Sequence, residues 1–233
     1  MALTPSDNQA FIREVDEELR RDQLTRFGKT YGIALGAAIL IGLLLFGGYL
    51  WYRNYDAGRA GMQGDELATA LATLGANKVD EAKPKLEELA KSDRPGYSAA
   101  ARLALADIAL QKDDTKGAAA QYKAIAEDSG IGQPFRDLAL VRQTAAEYDV
   151  LPPDTVISRL KGLAVAGNPW FGSAGEMVAA AYVRAGKPKE AGELFGKIAA
   201  DPGVPASIRS RAVQVAGVLG VDAVDAAKES VAK

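Results

Sequence analysis

Three serines, Ser98, Ser173 and Ser207, and a scatter of carboxylates that includes Glu87, Glu88, Asp113 and Asp114 are the side chains best placed to do chemistry in this chain. A serine nucleophile needs a base beside it, and the chain has no histidine, the commonest one. A serine–lysine pair stays open in principle, but no motif marks one. Zero cysteines exclude disulfides, thiolate metal sites and a cysteine nucleophile. The pair at Asp113 and Asp114 lacks the remaining ligands of a calcium loop. These carboxylates fall at turns and on solvated faces, which reads as surface charge at helix ends. No cofactor, metal site or enzymatic activity is therefore expected. The formal net charge of −2 leaves no basic surplus to neutralise phosphates, so nucleic acid is not an expected partner.

With no chemistry to position, the elements themselves must carry the function. Residues 31–52, "YGIALGAAILIGLLLFGGYLWY", hold no charge over 22 positions, about 33 Å of helix and enough to cross a bilayer. Tyr49, Trp51 and Tyr52 gather at its far end, where interfacial rings belong. A cleaved signal peptide is the competing reading. Against it, 30 mostly polar and charged residues precede the run, and "GRA" at 58–60 is a weak cleavage site. Arg21, Arg26 and Lys29 before the span, with Arg13 and Arg20 behind them, outweigh Arg53 and Arg59 after it. That bias puts the N-terminus in the cytoplasm and the body outside it.

Residues 1–30 read as a cytoplasmic amphipathic helix. Ser6 or Asp7 caps it, and Phe11, Ile12, Val15 and Leu19 form a narrow apolar edge. Gly32 and Gly36 form a G-x-x-x-G on the span, a spacing that lets a second transmembrane helix pack closely. Residues 53–64 contain three glycines and read as a linker.

From residue 65 on, helix follows helix, Ala-rich and punctuated by turn signals such as "SDRPG", "KDD", "AGKP" and "DPGVP". "VDEAKPKLEELA", "TKGAAAQYKAIA" and "PKEAGELFGKIA" superpose at intervals of 36 and 73 residues. Ala82, Ala118 and Ala191 then share one column. Leu86, Tyr122 and Phe195 share the next, and Leu89, Ile125 and Ile198 the third. The double interval implies a further copy, and "LALVRQTA" at 138 matches "LALADIAL" at 103 with an offset of 35. Its second helix is the divergent "DTVISRLKGLA" from Asp154. Ala106, Val141 and Ala179 take the small position of the first helices. Asn77, Asp113 and Gly186 stand at equivalent turns.

A period of 34–36 with two helices per unit is the tetratricopeptide pattern. The expected fold is all-α: one transmembrane helix, then an α-solenoid of about four degenerate helix pairs over 65–221, closed by the capping helix "VPASIRSRAVQVAGVLG". A tail of 222–233 follows. First helices line the concave face of such a stack. Its expected protein-binding positions are Leu103, Asp107 and Leu110, then Leu138 and Arg142, then Glu176, Ala180 and Arg184. That mixture suits an extended peptide or a partner helix.

"FIREVDEELRRDQL", the span, "QPFRDLALVRQTAAEY" and the capping helix, in that order, resemble the YfgM-like family of bacterial ancillary Sec translocon subunits. The chain departs from that family before the span, where "LTRFGKTYG" offers only Phe27 and Tyr31 as aromatics. The resemblance implies a single-pass inner-membrane protein whose repeat domain faces the periplasm. It also implies Sec translocon subunits, a membrane-anchored prolyl isomerase or other periplasmic chaperone, and unfolded exported proteins as partners, in a chaperone-like role. A tethered scaffold for cell-envelope or cell-wall assembly machinery is the alternative.

Overall fold

The computed structural model describes residues 5–223, with side chains for Arg21, Thr25, Arg26 and 29–223. The apolar edge expected at Phe11, Ile12, Val15 and Leu19, and the tail beyond 223, lie outside the described side chains. Among the described residues the chain is entirely helical outside its turns, with α1 (Pro5–Gly75), α2 (Val79–Leu89), α3 (Pro95–Gln111), α4 (Thr115–Ala126), α5 (Gln133–Glu147), α6 (Pro153–Leu160), α7 (Phe171–Arg184), α8 (Pro188–Ala200) and α9 (Ala206–Val218). The chain divides into two units, Met1–Met62 and Gln63–Lys233.

In the first unit, the apolar run lies on α1 with its large side chains open to the surroundings: Ile33, Leu44, Leu45 and Trp51 are all more than two-thirds exposed. The helix is long and apolar enough to cross a membrane. Trp51 and Tyr55, one turn apart, stack with ring centroids 5.8 Å from each other.

The segment expected as a linker is helical. Each glycine in a helix costs about 1 kcal/mol, but 53–64 has no proline, and an established helix propagates cheaply. Gly64 has a packing reason as well. A Cβ there would lie 3.2 Å from the Tyr97 hydroxyl. The boundary between the units still falls inside this segment.

The second unit is four helix pairs and a cap: 63–75 of α1 with α2, α3 with α4, α5 with α6, α7 with α8, then α9. All nine column residues of the second helices are buried, from Ala82, Leu86, Ala118, Ile125, Ala191 and Ile198 at 0% to Tyr122 at 1%, Leu89 at 4% and Phe195 at 5%. The small positions of the first helices, Ala106, Val141 and Ala179, are buried too, and Ala70 and Ala216 extend that column to both ends. Small side chains at these crossings let helices approach while a ring or Leu fills the adjacent groove.

The divergent pair keeps the same spacing with a shift. Val156, Leu160 and Leu163 are its buried column, four and three residues apart as in the other pairs. The turns at 76–78, 112–114 and 185–187 have three residues, whereas 148–152 has five. Those two extra residues and one more at the end of α5 put the third pair three residues out of phase: Val156 follows Val141 by 15 residues, where Ala118 follows Ala106 by 12.

The three short turns share one geometry. Asn77, Asp113 and Gly186 have φ of 62°, 61° and 70°. Beyond each, the next amide bonds five residues back: Lys78 to Thr73 at 3.2 Å, Asp114 to Ala109 at 3.0 Å and Lys187 to Tyr182 at 2.9 Å. These bonds satisfy carbonyls the helix end would otherwise leave unpaired. At the far end, Val221 packs on α8, where a Cβ at Gly192 would meet it at 2.8 Å, and Ala223 is 2% exposed. The segment expected as a tail from 222 is therefore anchored through Ala223.

Candidate functional site

The candidate nucleophiles and carboxylates serve local structure where the structure shows their contacts. The Ser98 hydroxyl donates to the Ala90 carbonyl at 2.7 Å and ties α3 to the end of α2. Asp114 caps α4, accepting from the Gly117 amide at 2.9 Å. Asp113 is the left-handed turn residue. Glu87 lies 3.6 Å from Lys83 on the exposed side of α2. No cluster of carboxylates suited to a metal occurs among the described residues.

The eight positions expected on a binding face fare differently. Leu103 is a core residue, 5% exposed, packed with Ala118, Tyr122 and Ile125. This corrects its expected surface role: one column inward from Asp107, it faces α4 across the pair. Leu138 is half-buried against the same cluster. Leu110 is 38% exposed and Ala180 half-buried. The charged positions are engaged within the fold. Arg142 of α5 pairs with Asp107 of α3, which also accepts the Tyr122 hydroxyl of α4. Burial first, and then the Asp107 carboxylate, push the Tyr122 phenol well above its ordinary 10.0. Glu176 holds Arg211 of α9 by two bonds, 3.0 Å to Nε and 2.7 Å to Nη2, and this raises the guanidinium's pKa. Arg184 donates to the carbonyls of Tyr148 and Leu151 in the long turn. Gly32 and Gly36 lie on open helix surface, with nothing within 4 Å of where their Cβ atoms would be.

Two openings meet beside the Asp107–Arg142 pair. One, about 380 Å³, is lined by Leu110, Tyr122, Arg142 and Ala145. The other, about 680 Å³, runs between α4 and α5, with Ala119, Ala120 and Ala146 between them and Val150 at the rim. Thr115 and Ala146 line both. The family model described as a tetratricopeptide repeat-like domain matches residues 25–215.

The chain belongs to the tetratricopeptide repeat-like domain family.

Searches among curated proteins and among solved structures found no match. The repeat-like fold is one that commonly serves as a protein-interaction scaffold. The α4–α5 groove lies partly on a second helix, away from the first-helix face where binding positions were expected. Its signal was present on a second helix: Lys116, Ala119, Ala120 and Lys123 follow i, i+3, i+4, i+7 spacing, opposite the buried Ala118, Tyr122 and Ile125.

Proposed function

We propose that this protein is a membrane-tethered interaction scaffold with its repeat domain in the periplasm, acting as an accessory translocon subunit with a chaperone-like role for newly exported proteins. The observation that carries the reading is an apolar groove of about 680 Å³ on a repeat stack, in a chain whose α1 exposes an uncharged run long enough to span a membrane. The family resemblance, the cationic flank before the run and the aromatic cluster after it support an uncleaved span with the N-terminus inside. Gly32 and Gly36 serve as a packing site for a second membrane helix. Tethering concentrates a weak binding face beside translocating chains, so micromolar affinity suffices. The partners are translocon subunits, a membrane-anchored prolyl isomerase or another periplasmic chaperone, and unfolded exported chains.

Two measurements test this. Lys189 is exposed and the chain has no cysteine, so Lys189→Cys provides a unique label. An impermeant thiol reagent should modify it in intact spheroplasts; labelling only after lysis would place the body inside. Crosslinking in native membranes should recover translocon subunits with the full chain, and removal of residues 1–52 should abolish that recovery. Recovery of cell-wall enzymes alone would instead favour the envelope-assembly scaffold.

A further inference from the structure

We propose that the groove between α4 and α5 is a docking site for an amphipathic helix carrying two acidic side chains seven residues apart beside a small apolar ridge. The proposal rests on the scaffold reading and names the ligand chemistry of one site on it.

The walls favour a helical ligand. Both are helices whose amides and carbonyls bond within their own turns, so an extended backbone would have side chains alone to satisfy its amides and carbonyls. A helical ligand satisfies its own backbone and needs only a side-chain surface. The middle of the groove is Ala119, Ala120 and Ala146, shallow enough for a second helix to lie close, and Val150 supplies an apolar rim, 83% exposed.

Charge then sets the ligand's sign. Lys116 and Lys123 both line the α4 wall, two turns or roughly 10 Å apart. Lys116 has no ion pair among the described residues. Lys123 has only Glu127, at 3.9 Å and exposed, a contact that binds weakly. On the opposite wall the Glu147 carboxylate is neutralised by Arg159 at 2.6 Å and accepts from Gln143 at 3.2 Å. The groove therefore offers two available cations in a row, at the i, i+7 spacing of a facing helix. Asp149, exposed in the long turn, would meet a basic residue of the ligand. Arg184 holds that turn in place through the Tyr148 and Leu151 carbonyls.

The probe is a fluorescent Ala/Leu helix of about four turns with Glu at i and i+7, compared with the same helix bearing Lys there, against the full chain in nanodiscs. The Glu peptide should bind at least about tenfold more tightly. Lys116→Glu with Lys123→Glu, both on an exposed helix face, should invert the preference. Ala120→Trp should block both peptides. Equal binding of the two peptides, no binding, or a preference unmoved by the charge reversal overturns the proposal, as does full binding by the Ala120→Trp protein. Translocon recovery is measured on the same charge-reversed protein. Recovery with no peptide preference leaves the scaffold standing without this groove; peptide binding with no translocon recovered leaves the groove standing and removes the translocon.

Discussion

Arg184 of α7 holds Tyr148, in the turn before α6, by its carbonyl and its ring together: Nη1 donates to the Tyr148 oxygen at 2.8 Å and the guanidinium carbon lies 5.0 Å from the ring centroid. A second bond, Nη2 to the Leu151 oxygen at 3.0 Å, completes a fork that lysine cannot reproduce. Arg184→Lys should speed amide exchange over 148–151 and lower stability in denaturant by about 1 kcal/mol. Unchanged exchange would mean that Pro152, Pro153 and the bonds of the Val150 and Leu151 amides to the Glu147 carbonyl hold the turn without Arg184.

Core substitutions separate the columns from the faces. Phe195→Ala should cost about 3–5 kcal/mol, because the ring fills the groove between α7, α8 and α9. Leu103→Glu should prevent folding of the α3–α4 pair rather than weaken binding, since it places a carboxylate at a 5% exposed position. A cooperative melt near the wild-type temperature for either variant would contradict the packing.

The left-handed turns predict opposite responses to similar changes. Gly186→Ala forces a Cβ into φ of 70° and should cost about 1–2 kcal/mol. Asn77→Gly and Asp113→Gly relieve that constraint and should lie within about 0.5 kcal/mol of the parent or stabilise it. Chemical denaturation measures all three.

Asp107 and Arg142 should act as a pair. Arg142→Glu sets two carboxylates against each other and leaves the Tyr122 hydroxyl between them, so stability should fall by roughly 1 kcal/mol. The exchange Asp107→Arg with Arg142→Glu should restore part of that loss in a double-mutant cycle. Strict additivity would show that the two side chains are uncoupled. Any binding defect of Arg142→Glu must be read alongside this loss.

Alkaline pH should expose Tyr122. Its folded pKa is raised above the unfolded value, so the folded state favours the neutral phenol. The resulting stability is complete below about pH 10 and is lost as pH rises from there toward the folded pKa. An ultraviolet titration should show a late step, above the ordinary phenol range, from Tyr122. Tyr122→Phe should remove that late step, and a late step that survives belongs to another tyrosine. At the acidic end the sign reverses for Asp128. The Arg102 hydrogen bond first and the Gly130 amide next lower its pKa, so its contribution is present above the ordinary 3.8 and fades as pH falls below it.

The amino-acid sequence by itself determined the all-helical class, the uncharged run, the four pairs with a cap, and the core columns of three pairs, from Ala82, Leu86 and Leu89 to Ala191, Phe195 and Ile198, with the small positions Ala106, Val141 and Ala179. Those follow from local periodicity: burial on one helix face repeats every three to four residues, and the turns at Asn77, Asp113 and Gly186 repeat the same short geometry. The third pair was legible only in part, because two extra residues in the 148–152 turn and one at the end of α5 moved Val156, Leu160 and Leu163 three residues out of step. The tertiary structure alone decided which polar positions are available. Arg142 is taken by Asp107, Glu176 by Arg211 and Arg184 by the Tyr148 turn, and each pairing joins residues about 35 apart in sequence. Whether a charge on a helix face meets water or a partner depends on how neighbouring pairs stack, a long-range relation that no local pattern encodes. For the same reason the opening between α4 and α5 exists only once a second helix of one pair has been laid against the first helix of the next.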